Sequence, residues 1–168
     1  AKQGLFYPPD PSSIKQSTLG GNAACNAGGP RCLKYGVTSD YVMGLTVVLA
    51  NGEILRTGGK PIKNVVGYDL TSLFVGSEGT LGIITKATLS LMPPPAVVYT
   101  LVAPFQNLND AIGTVPGILR NKILPMAIEF VEKKPILISE ELALSLDVEI
   151  GDLGTLISAP STGSMALQ

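Results

Sequence analysis

The chain has 168 residues and a formal net charge of -1, with 45% hydrophobic and only 15% charged residues. That length supports one domain of ordinary size or slightly more, and a near-neutral chain without a basic run lacks the electrostatic footprint of a nucleic-acid-binding protein. Histidine is absent, which removes the commonest general base and metal ligand, so we expect no metal site. No apolar run reaches the roughly 20 residues that span a bilayer. We expect a cytoplasmic protein, with attachment to a membrane through a partner as the alternative.

The N-terminal part predicts irregular chain followed by a glycine-rich loop. Prolines in residues 1–18 disfavour a regular helix or strand there. Residues 19–29, the first glycine segment, read LGGNAACNAGG. Because glycine permits left-handed backbone and close approach of a ligand, we expect this segment to present backbone N–H groups to an anion. Its Asn22 and Asn26 are able to adopt left-handed conformations.

The central part predicts a β-hairpin and a short helix. Residues 42–50 and 53–57 are rich in β-forming residues and flank Asn51-Gly52, a dipeptide typical of type I′ turns. Asp69 is placed to cap a short helix that ends at Phe74.

A second glycine segment, residues 76–85, reads GSEGTLGIIT and leads into a strand predicted over 83–91. Strict alternation places Ile83 and Ala87 on one face of this strand and Ile84 on the other. The run Pro93-Pro94-Pro95 then indicates a stiff domain boundary.

Beyond this boundary the pattern changes to β-α-β-α. It predicts a strand over 97–103, a helix with apolar residues recurring over 108–119, a strand over 126–131 and a helix over 136–146. Residues 147–168 show no clear period, and 158–164 resemble a loop or a frayed tail. We infer a second, small α/β domain.

The glycine spacing argues against the common nucleotide-binding motifs. Neither G-x-G-x-x-G nor G-x-x-x-x-G-K-[ST] is present, and Gly76, Gly79 and Gly82 recur at every third position. Cys25 and Cys32 are the only cysteines, and we favour free thiols over a disulfide.

The motifs STLGGNAACNAGG, LKYG, LTVVLANGEIL and GYDLTSLFVGSEGTLGIITKATLSLMP follow one another in unbroken order. Together they resemble the FAD-binding domain of the vanillyl-alcohol-oxidase-like flavoproteins. Within that superfamily the chain looks most like the flavoprotein subunit of glycolate oxidase and the related D-lactate dehydrogenases, over about residues 5–145. The resemblance implies an α+β fold: residues 1–95 as the second, C-terminal half of a PCMH-type FAD-binding domain, and residues 96–168 as the start of a ferredoxin-like α/β cap domain.

The resemblance also implies FAD as the cofactor, contacted by the loop before the first glycine segment, by both glycine segments and by the Tyr35-Gly36 pair. A side chain at Gly82 is expected to disturb FAD retention more than folding. The implied FAD-binding residues are Pro11, Ser12, Thr18, Gly20, Gly21, Cys25, Asn26, Ala27, Gly28, Tyr35, Gly36, Glu78, Gly79, Gly82, Ile83 and Ile84.

Some of these residues have simpler interpretations. The glycines can serve as tight turns, and Glu78 can be a solvated loop acid. Asp40 and Asp69 are interpreted as a turn residue and a helix cap rather than as ligands, and Tyr68 as a packing residue rather than a catalytic one.

The implied activity is oxidation of a small 2-hydroxy acid, such as glycolate or D-lactate, with electrons leaving to an iron–sulfur subunit in a homo- or hetero-oligomer. In the family a first phosphate-binding loop precedes the matched region, and the catalytic side chains follow it. We therefore expect a chain truncated at both ends that is inactive by itself. The alternatives are a flavoprotein that resembles alkyl-glycerone-phosphate synthase or a cell-wall-precursor reductase, and a non-catalytic subunit that contributes half a flavin site.

Overall fold

The computed structural model describes residues 4–131 and 154–160. Contacts divide the chain into two compact units, Ala1–Pro94 and Pro95–Gln168. Both contain helices and strands, as expected for a mixed fold. Among the described helices, none has the length and apolar character needed to cross a membrane.

The first unit is a three-stranded antiparallel sheet with short helices around it. The strands occur in the order β2-β1-β3, and an isolated bridge from Phe6 to Met92 joins the two ends of the unit. In chain order the elements are α1 (Leu19–Ala24), α2 (Cys32–Tyr35), a 3-10 turn (Thr38–Tyr41), β1 (Val42–Val48), β2 (Ile54–Gly58), α3 (Leu70–Phe74) and β3 (Ile83–Leu89).

The predicted hairpin is confirmed, but its turn differs from the prediction. The Gly52 N–H donates to the Leu49 carbonyl at 2.9 Å, and the Leu49 N–H donates to the Glu53 carbonyl, also at 2.9 Å. Gly52 has φ 84°, whereas Asn51 is not among the left-handed residues of the described chain. A type I′ turn needs positive φ at both central residues, so that prediction is wrong. A longer connection with one left-handed glycine joins the strands.

Strand β3 is confirmed over most of its predicted length, but the predicted faces are wrong at its start. Thr46 of β1 pairs with Lys86 and Val47 pairs with Ile84, which leaves Thr85 as an extra residue in β3. Such a bulge reverses the alternation of side chains. Ile84 therefore packs against the same core as Ala87, while Ile83 is 63% exposed.

The core of the first unit lies where β1 meets α3. Leu45 and Val47 of β1 are buried together with Phe74 and Val75. A buried hydrogen bond of 2.9 Å from the Thr71 hydroxyl to the Thr57 hydroxyl ties α3 to β2. Because burial of a hydroxyl is costly unless it is paired, this bond fixes the position of α3 on the hairpin.

The second unit contains β4 (Val98–Pro104), α4 (Leu108–Arg120), β5 (Ala127–Val131) and β6 (Gly154–Pro160). The two predicted strands and the first predicted helix are confirmed with bounds shifted by one residue. The helix predicted over 136–146 lies outside the described residues.

Strand β6 was not predicted. Residues 158–160 belong to it, so their interpretation as part of a loop or a frayed tail is wrong. Strand β6 is the central strand of the sheet, in the order β4-β6-β5, and pairs antiparallel with both neighbours. Backbone pairing on two sides stabilises a strand whose own sequence has no clear period.

The cap of α3 gives a first prediction. The Asp69 carboxylate accepts hydrogen bonds from the Ser72 hydroxyl at 2.5 Å and the Ser72 N–H at 3.0 Å. These bonds lower the pKa of Asp69, with the hydroxyl as the larger cause. We expect Asp69→Ala to lower the free energy of unfolding by about 1 kcal/mol at neutral pH, as measured by urea denaturation.

Asp69→Asn is the matched control, because asparagine caps a helix about as well as aspartate. Since the folded pKa is depressed, the charge-dependent part of the cap is present above the unfolded pKa of about 3.9 and is lost as the pH falls through the folded value. The Asn variant should lose this pH dependence. Equal stability of the Ala variant and the wild type would contradict the assignment.

Candidate functional site

The two glycine segments lie side by side in the first unit. The Gly76 N–H donates to the Ala23 carbonyl at 2.9 Å, and the Glu78 N–H donates to the Ala24 carbonyl at 2.8 Å. A Cβ built on Gly76 would lie 3.4 Å from the Cβ of Asn26. The structure therefore brings together the two segments that the sequence analysis singled out.

The first half of the first glycine segment is helical rather than a loop. Thr18 is the N-cap of α1, and its Oγ1 accepts a 3.0 Å hydrogen bond from the Gly21 N–H. Gly20 faces the start of β3, because a Cβ there would lie 3.6 Å from the Ile84 carbonyl oxygen. Asn22 is buried within α1 and does not use the left-handed conformation that its residue type allows.

The second half of this segment is held by a neighbouring turn. Asn26 is left-handed, with φ 48°, a conformation that its residue type allows, and its Oδ1 accepts the Ser39 N–H at 2.8 Å. The Ala27 carbonyl accepts both the Thr38 N–H at 3.1 Å and the Thr38 hydroxyl at 2.6 Å. These acceptors are thus engaged within the protein. Thr38, which is 1% exposed, is a residue that the sequence analysis missed, and no local pattern marks it.

An ion pair fixes the loop that contains Pro11 and Ser12. Arg31 Nε lies 2.8 Å from Asp10 Oδ2. A Cβ at Gly29 would overlap the main chain of Asp10. This close approach places residues 10–12 against the end of the first glycine segment. Pro11 is buried there, whereas Ser12 is exposed.

Both cysteines are free, as expected. Cys25 is exposed at the end of α1. Cys32 is half-buried, and its Sγ accepts the Gly29 N–H at 2.9 Å. A Cβ at Gly28 would lie 3.0 Å from this sulfur, so Gly28 has a packing role as well as its predicted place in the site.

Tyr35 and Gly36 lie at the end of α2, where Asp40 and Tyr41 contact them. Gly36 has φ 76°, and the Asp40 carboxylate occupies the space that a side chain at position 36 would need. That carboxylate accepts the Val37 N–H at 2.8 Å, which confirms Asp40 as a turn residue. The Tyr41 hydroxyl donates to the Tyr35 carbonyl at 2.7 Å. Burial, followed by the charge of Asp40, raises the pKa of Tyr41.

The second glycine segment combines an exposed turn with a buried entry to β3. Glu78 is exposed and left-handed, with φ 53°, a conformation that is uncommon for a residue with a side chain. Gly79 has φ 79° and open space around it. Gly82 is buried, and a Cβ there would lie 2.6 Å from Val47 Cγ1 and 2.8 Å from the Val48 carbonyl oxygen.

Gly82 is thus required by the core. The packing argues against the expectation that a side chain at this position disturbs cofactor retention more than folding, because the Cβ would meet the core first.

The candidate site is nearly uncharged. Glu78 is the only ionisable acid or base in residues 17–29 and 76–84 apart from the Cys25 thiol. Two buried hydroxyls in these stretches, those of Ser17 and Ser77, have no hydrogen-bond partner. Open space at Gly79 leaves room for a ligand beside the backbone, and a Cβ at Gly20 would make only an ordinary contact, at 3.6 Å from the Ile84 carbonyl oxygen. A large ligand rich in oxygen acceptors fits this set of neutral donors.

Tyr68 lies elsewhere, in a groove of about 400 Å³ lined by residues 56–58 and 64–71. It is 96% exposed, so the interpretation of Tyr68 as a packing residue is wrong within this unit.

Comparison with known proteins agrees with the resemblance carried by the motifs. Residues 1–58 match the family model described as an FAD binding domain. The glycolate oxidase subunit GlcD of Bacillus subtilis is 58% identical over 141 residues, which are 84% of this chain and 30% of the relative. The D-lactate dehydrogenase of Anaerostipes hadrus is 51% identical over 140 residues, which are 83% of this chain and 29% of the relative.

Among solved structures, alkyldihydroxyacetonephosphate synthase matches 94% of this chain and 31% of its own length, with a TM-score of 0.73 and 27% identity. The chain thus spans about a third of the length of the relatives it matches. An FAD-linked oxidoreductase of Mycobacterium tuberculosis is 38% identical over 155 residues, which are 90% of this chain and 34% of the relative.

The two glycine environments give a second prediction. Gly82→Ala should lower the free energy of unfolding by about 1–3 kcal/mol, because overpacking forces the core to shift. Gly20→Ala, whose Cβ meets only an ordinary contact at 3.6 Å, should leave stability unchanged or raise it by up to about 1 kcal/mol, since alanine favours a helix.

Urea denaturation and FAD titration of both variants check this prediction. We expect Gly20→Ala to weaken FAD binding without loss of stability. A Gly82→Ala variant as stable as the wild type would refute the packing argument, and unchanged FAD affinity of Gly20→Ala would remove Gly20 from the site.

Proposed function

We propose that the chain forms part of the FAD site of an oxidoreductase that oxidises a small 2-hydroxy acid such as glycolate or D-lactate. The observation that carries this proposal is the hydrogen-bonded pair of nearly uncharged glycine segments, joined by the Gly76 and Glu78 N–H groups. The similarity to a glycolate oxidase subunit and to D-lactate dehydrogenases supports the substrate class.

The domain assignment belongs to the same proposal. Residues 1–95 would be the C-terminal part of a PCMH-type FAD-binding domain, and residues 96–168 the start of a ferredoxin-like cap domain that contributes to the substrate site. The division of the chain at residues 94 and 95 supports this boundary, and the antiparallel sheet with α4 supports a separate second domain.

The residues present would bind FAD largely through their main chain. The Gly21 N–H already donates to Thr18 and the Glu78 N–H to Ala24. The main-chain donors offered to FAD would therefore be those of Gly20, in the first turn of α1, and of Gly79, which has open space beside it. Donors of this kind suit a diphosphate. The exposed Ile83, at the start of β3, offers an apolar surface for a planar ring. When bound, FAD supplies the hydride acceptor for oxidation of the substrate carbon.

The chain holds no histidine, so its own contribution is cofactor binding and not a histidine-based proton transfer. The proposal therefore places the general base, which typically contributes about 10²–10⁴ in rate, outside these residues. We accordingly expect the 168 residues by themselves to be catalytically inactive.

Two observations support a partner protein: the name of one relative and a cluster of exposed apolar side chains. The name of the Bacillus relative describes it as a subunit, and an iron–sulfur subunit that accepts electrons is the partner we propose. Ile62, Val66 and Tyr68 are 98%, 89% and 96% exposed, and such a cluster supports burial against another domain or subunit. We propose a cytoplasmic oligomer, with membrane attachment only through a partner.

A second candidate is a flavoprotein like alkyldihydroxyacetonephosphate synthase, favoured by the TM-score of 0.73. The glycolate oxidase subunit is more similar in sequence, at 58% against 27% identity. A third candidate, a non-catalytic subunit that contributes half a flavin site, is favoured by the absence of histidine.

The cofactor assignment gives a third prediction. The protein expressed from its complete coding sequence should bind FAD at least tenfold more tightly than FMN, because only FAD carries the diphosphate and the adenosine. Fluorescence titration with FAD, FMN and ADP measures the three affinities. Equal binding of FAD and FMN, or no saturable binding of FAD, would contradict the proposal.

The substrate class is tested separately on the same preparation. We expect glycolate or D-lactate to reduce the bound flavin, which is seen as bleaching of its absorbance near 450 nm, a general property of flavins. L-Lactate is the matched control. A protein that binds FAD but is reduced by neither acid would favour the second or the third candidate.

A further inference from the structure

The loop that joins β2 to α3, residues 59–69, presents apolar side chains to solvent. Four of them are between 77% and 98% exposed, those of Ile62, Val65, Val66 and Tyr68. A single exposed apolar residue needs no explanation, whereas several in one short loop form a patch of the kind that marks a binding surface. None of the residues assigned to the FAD site lies in this loop.

Positive charge surrounds this apolar patch. Residues 54–68 contain three cations and no aspartate or glutamate, although the chain as a whole has a net charge of -1. The cations are Arg56, Lys60 and Lys63. The only ion pair within the described residues joins Arg31 to Asp10, so none of the three has a carboxylate partner there. The surface therefore combines apolar contact area with unpaired positive charge.

The main chain of the loop is hydrogen-bonded at its two ends. The Gly59 N–H donates to the Met43 carbonyl at 2.9 Å, and the Leu70 N–H donates to the Tyr68 carbonyl at 2.9 Å. Among the described residues, no main-chain group of 60–67 is bonded to another main-chain group. Water satisfies such groups on a free surface, and a partner that covers the loop can replace that water with hydrogen bonds of its own.

A groove of about 400 Å³ lies beside the loop. Val65 and Tyr68 of the loop line it together with Arg56 of β2. Asp69 lines it as well, but its carboxylate accepts both the N–H and the hydroxyl of Ser72. The groove thus offers an apolar wall and a guanidinium group with which no carboxylate of the described chain pairs.

The charge and the groove decide which kind of partner fits. Two copies of this loop that met about a two-fold axis would bring Arg56, Lys60 and Lys63 against the same three cations, and like charges across an interface are unfavourable. Anionic lipid would attract the cations, but a flat headgroup surface does not fill a groove, whereas a protein side chain does. Arginine and tyrosine are also enriched among the residues that dominate protein–protein binding.

We propose that the loop between β2 and α3 is the docking site for an acidic surface of a partner protein. A carboxylate of the partner enters the groove and pairs with Arg56, while further acids face Lys60 and Lys63. Apolar side chains of the partner cover Ile62 and Tyr68. The inference rests on the partner protein that the proposed function includes, but not on the FAD site.

The first test is a site-specific cross-link. The protein is expressed in its own host from its complete coding sequence, with Tyr68 replaced by the photo-crosslinking residue p-benzoylphenylalanine. We expect irradiation to join position 68 to a different protein, through a peptide rich in aspartate or glutamate that mass spectrometry identifies. That protein is then purified, and titration calorimetry measures its dissociation constant for the wild type.

Charge-reversal variants test whether the identified contact is the proposed one. Arg56→Glu should weaken the binding about tenfold or more, because close charge pairs across an interface are strongly coupled. Lys63→Glu should act in the same direction, and raised salt should weaken binding by the wild type. Lys86→Glu is the matched control, since Lys86 is exposed on β3, at the opposite edge of the sheet from β2. It should leave the dissociation constant unchanged.

A cross-link to a peptide of the chain's own sequence overturns the inference, because another part of the protein or a second copy then covers the loop. The absence of a cross-link also overturns it, as does a partner whose binding both Arg56→Glu and Lys63→Glu leave unchanged. Cosedimentation of the wild type with vesicles of phosphatidylcholine and phosphatidylserine, if Arg56→Glu abolishes it, overturns the inference in favour of a lipid surface.

FAD binding, measured on the same preparations, separates this inference from the proposed cofactor site. A protein that binds FAD but docks no acidic partner overturns the inference alone. A protein that docks the partner as expected but binds no FAD supports the inference and overturns the proposed cofactor site.

Discussion

The candidate site depends on two main-chain hydrogen bonds, from Gly76 and Glu78 to the carbonyls at the end of α1. A helix of six residues leaves most of its last carbonyls without partners inside the helix, and isolated helices of this length are not stable. The turn between α3 and β3 supplies the missing donors. Positions 76, 78 and 79 of this turn have left-handed backbone, which brings the two N–H groups to the carbonyls of α1. The strained backbone of Glu78 is therefore needed for the hydrogen bonds that stabilise α1.

The remaining irregular chain is held by side chains that cap or clamp it. Asp10 and Arg31 join the N-terminal loop to the end of the first glycine segment, and Asp40 closes the turn after Gly36. Asn26 and Thr38 lock the centre of that segment. Buried backbone must find partners, and here it finds them in the protein. What remains for a ligand is the main chain at the start of α1, the open position at Gly79 and the two unpaired serine hydroxyls.

Local features of the sequence predicted local structure well. The β-hairpin and the Asp69 cap follow from residues within a few positions of each other. The bulge at Thr85 could not be predicted, because it depends on the pairing of β3 with β1. It turns Ile84 towards the core and leaves Ile83 exposed. The Asp10–Arg31 pair joins residues 21 positions apart, and β6 depends on two neighbours distant in sequence. Neither leaves a periodic signal. The list of site residues remains a prediction, although the structure places both glycine segments together.

The glycines of these motifs are explained by different physical constraints. Only a glycine that the fold itself does not require is evidence for a ligand. Gly82 is required by the core, because Val47 and Val48 leave no room for a Cβ. Gly36 is required by its turn, since its φ is positive and Asp40 occupies the adjacent space. Gly20 has neither constraint, and alanine would favour its helix. A glycine that neither packing nor backbone conformation requires is better explained by close approach of a ligand. Gly79, with φ 79°, is required by its turn as Gly36 is. Gly20 is therefore the glycine for which the proposed FAD site offers the remaining explanation.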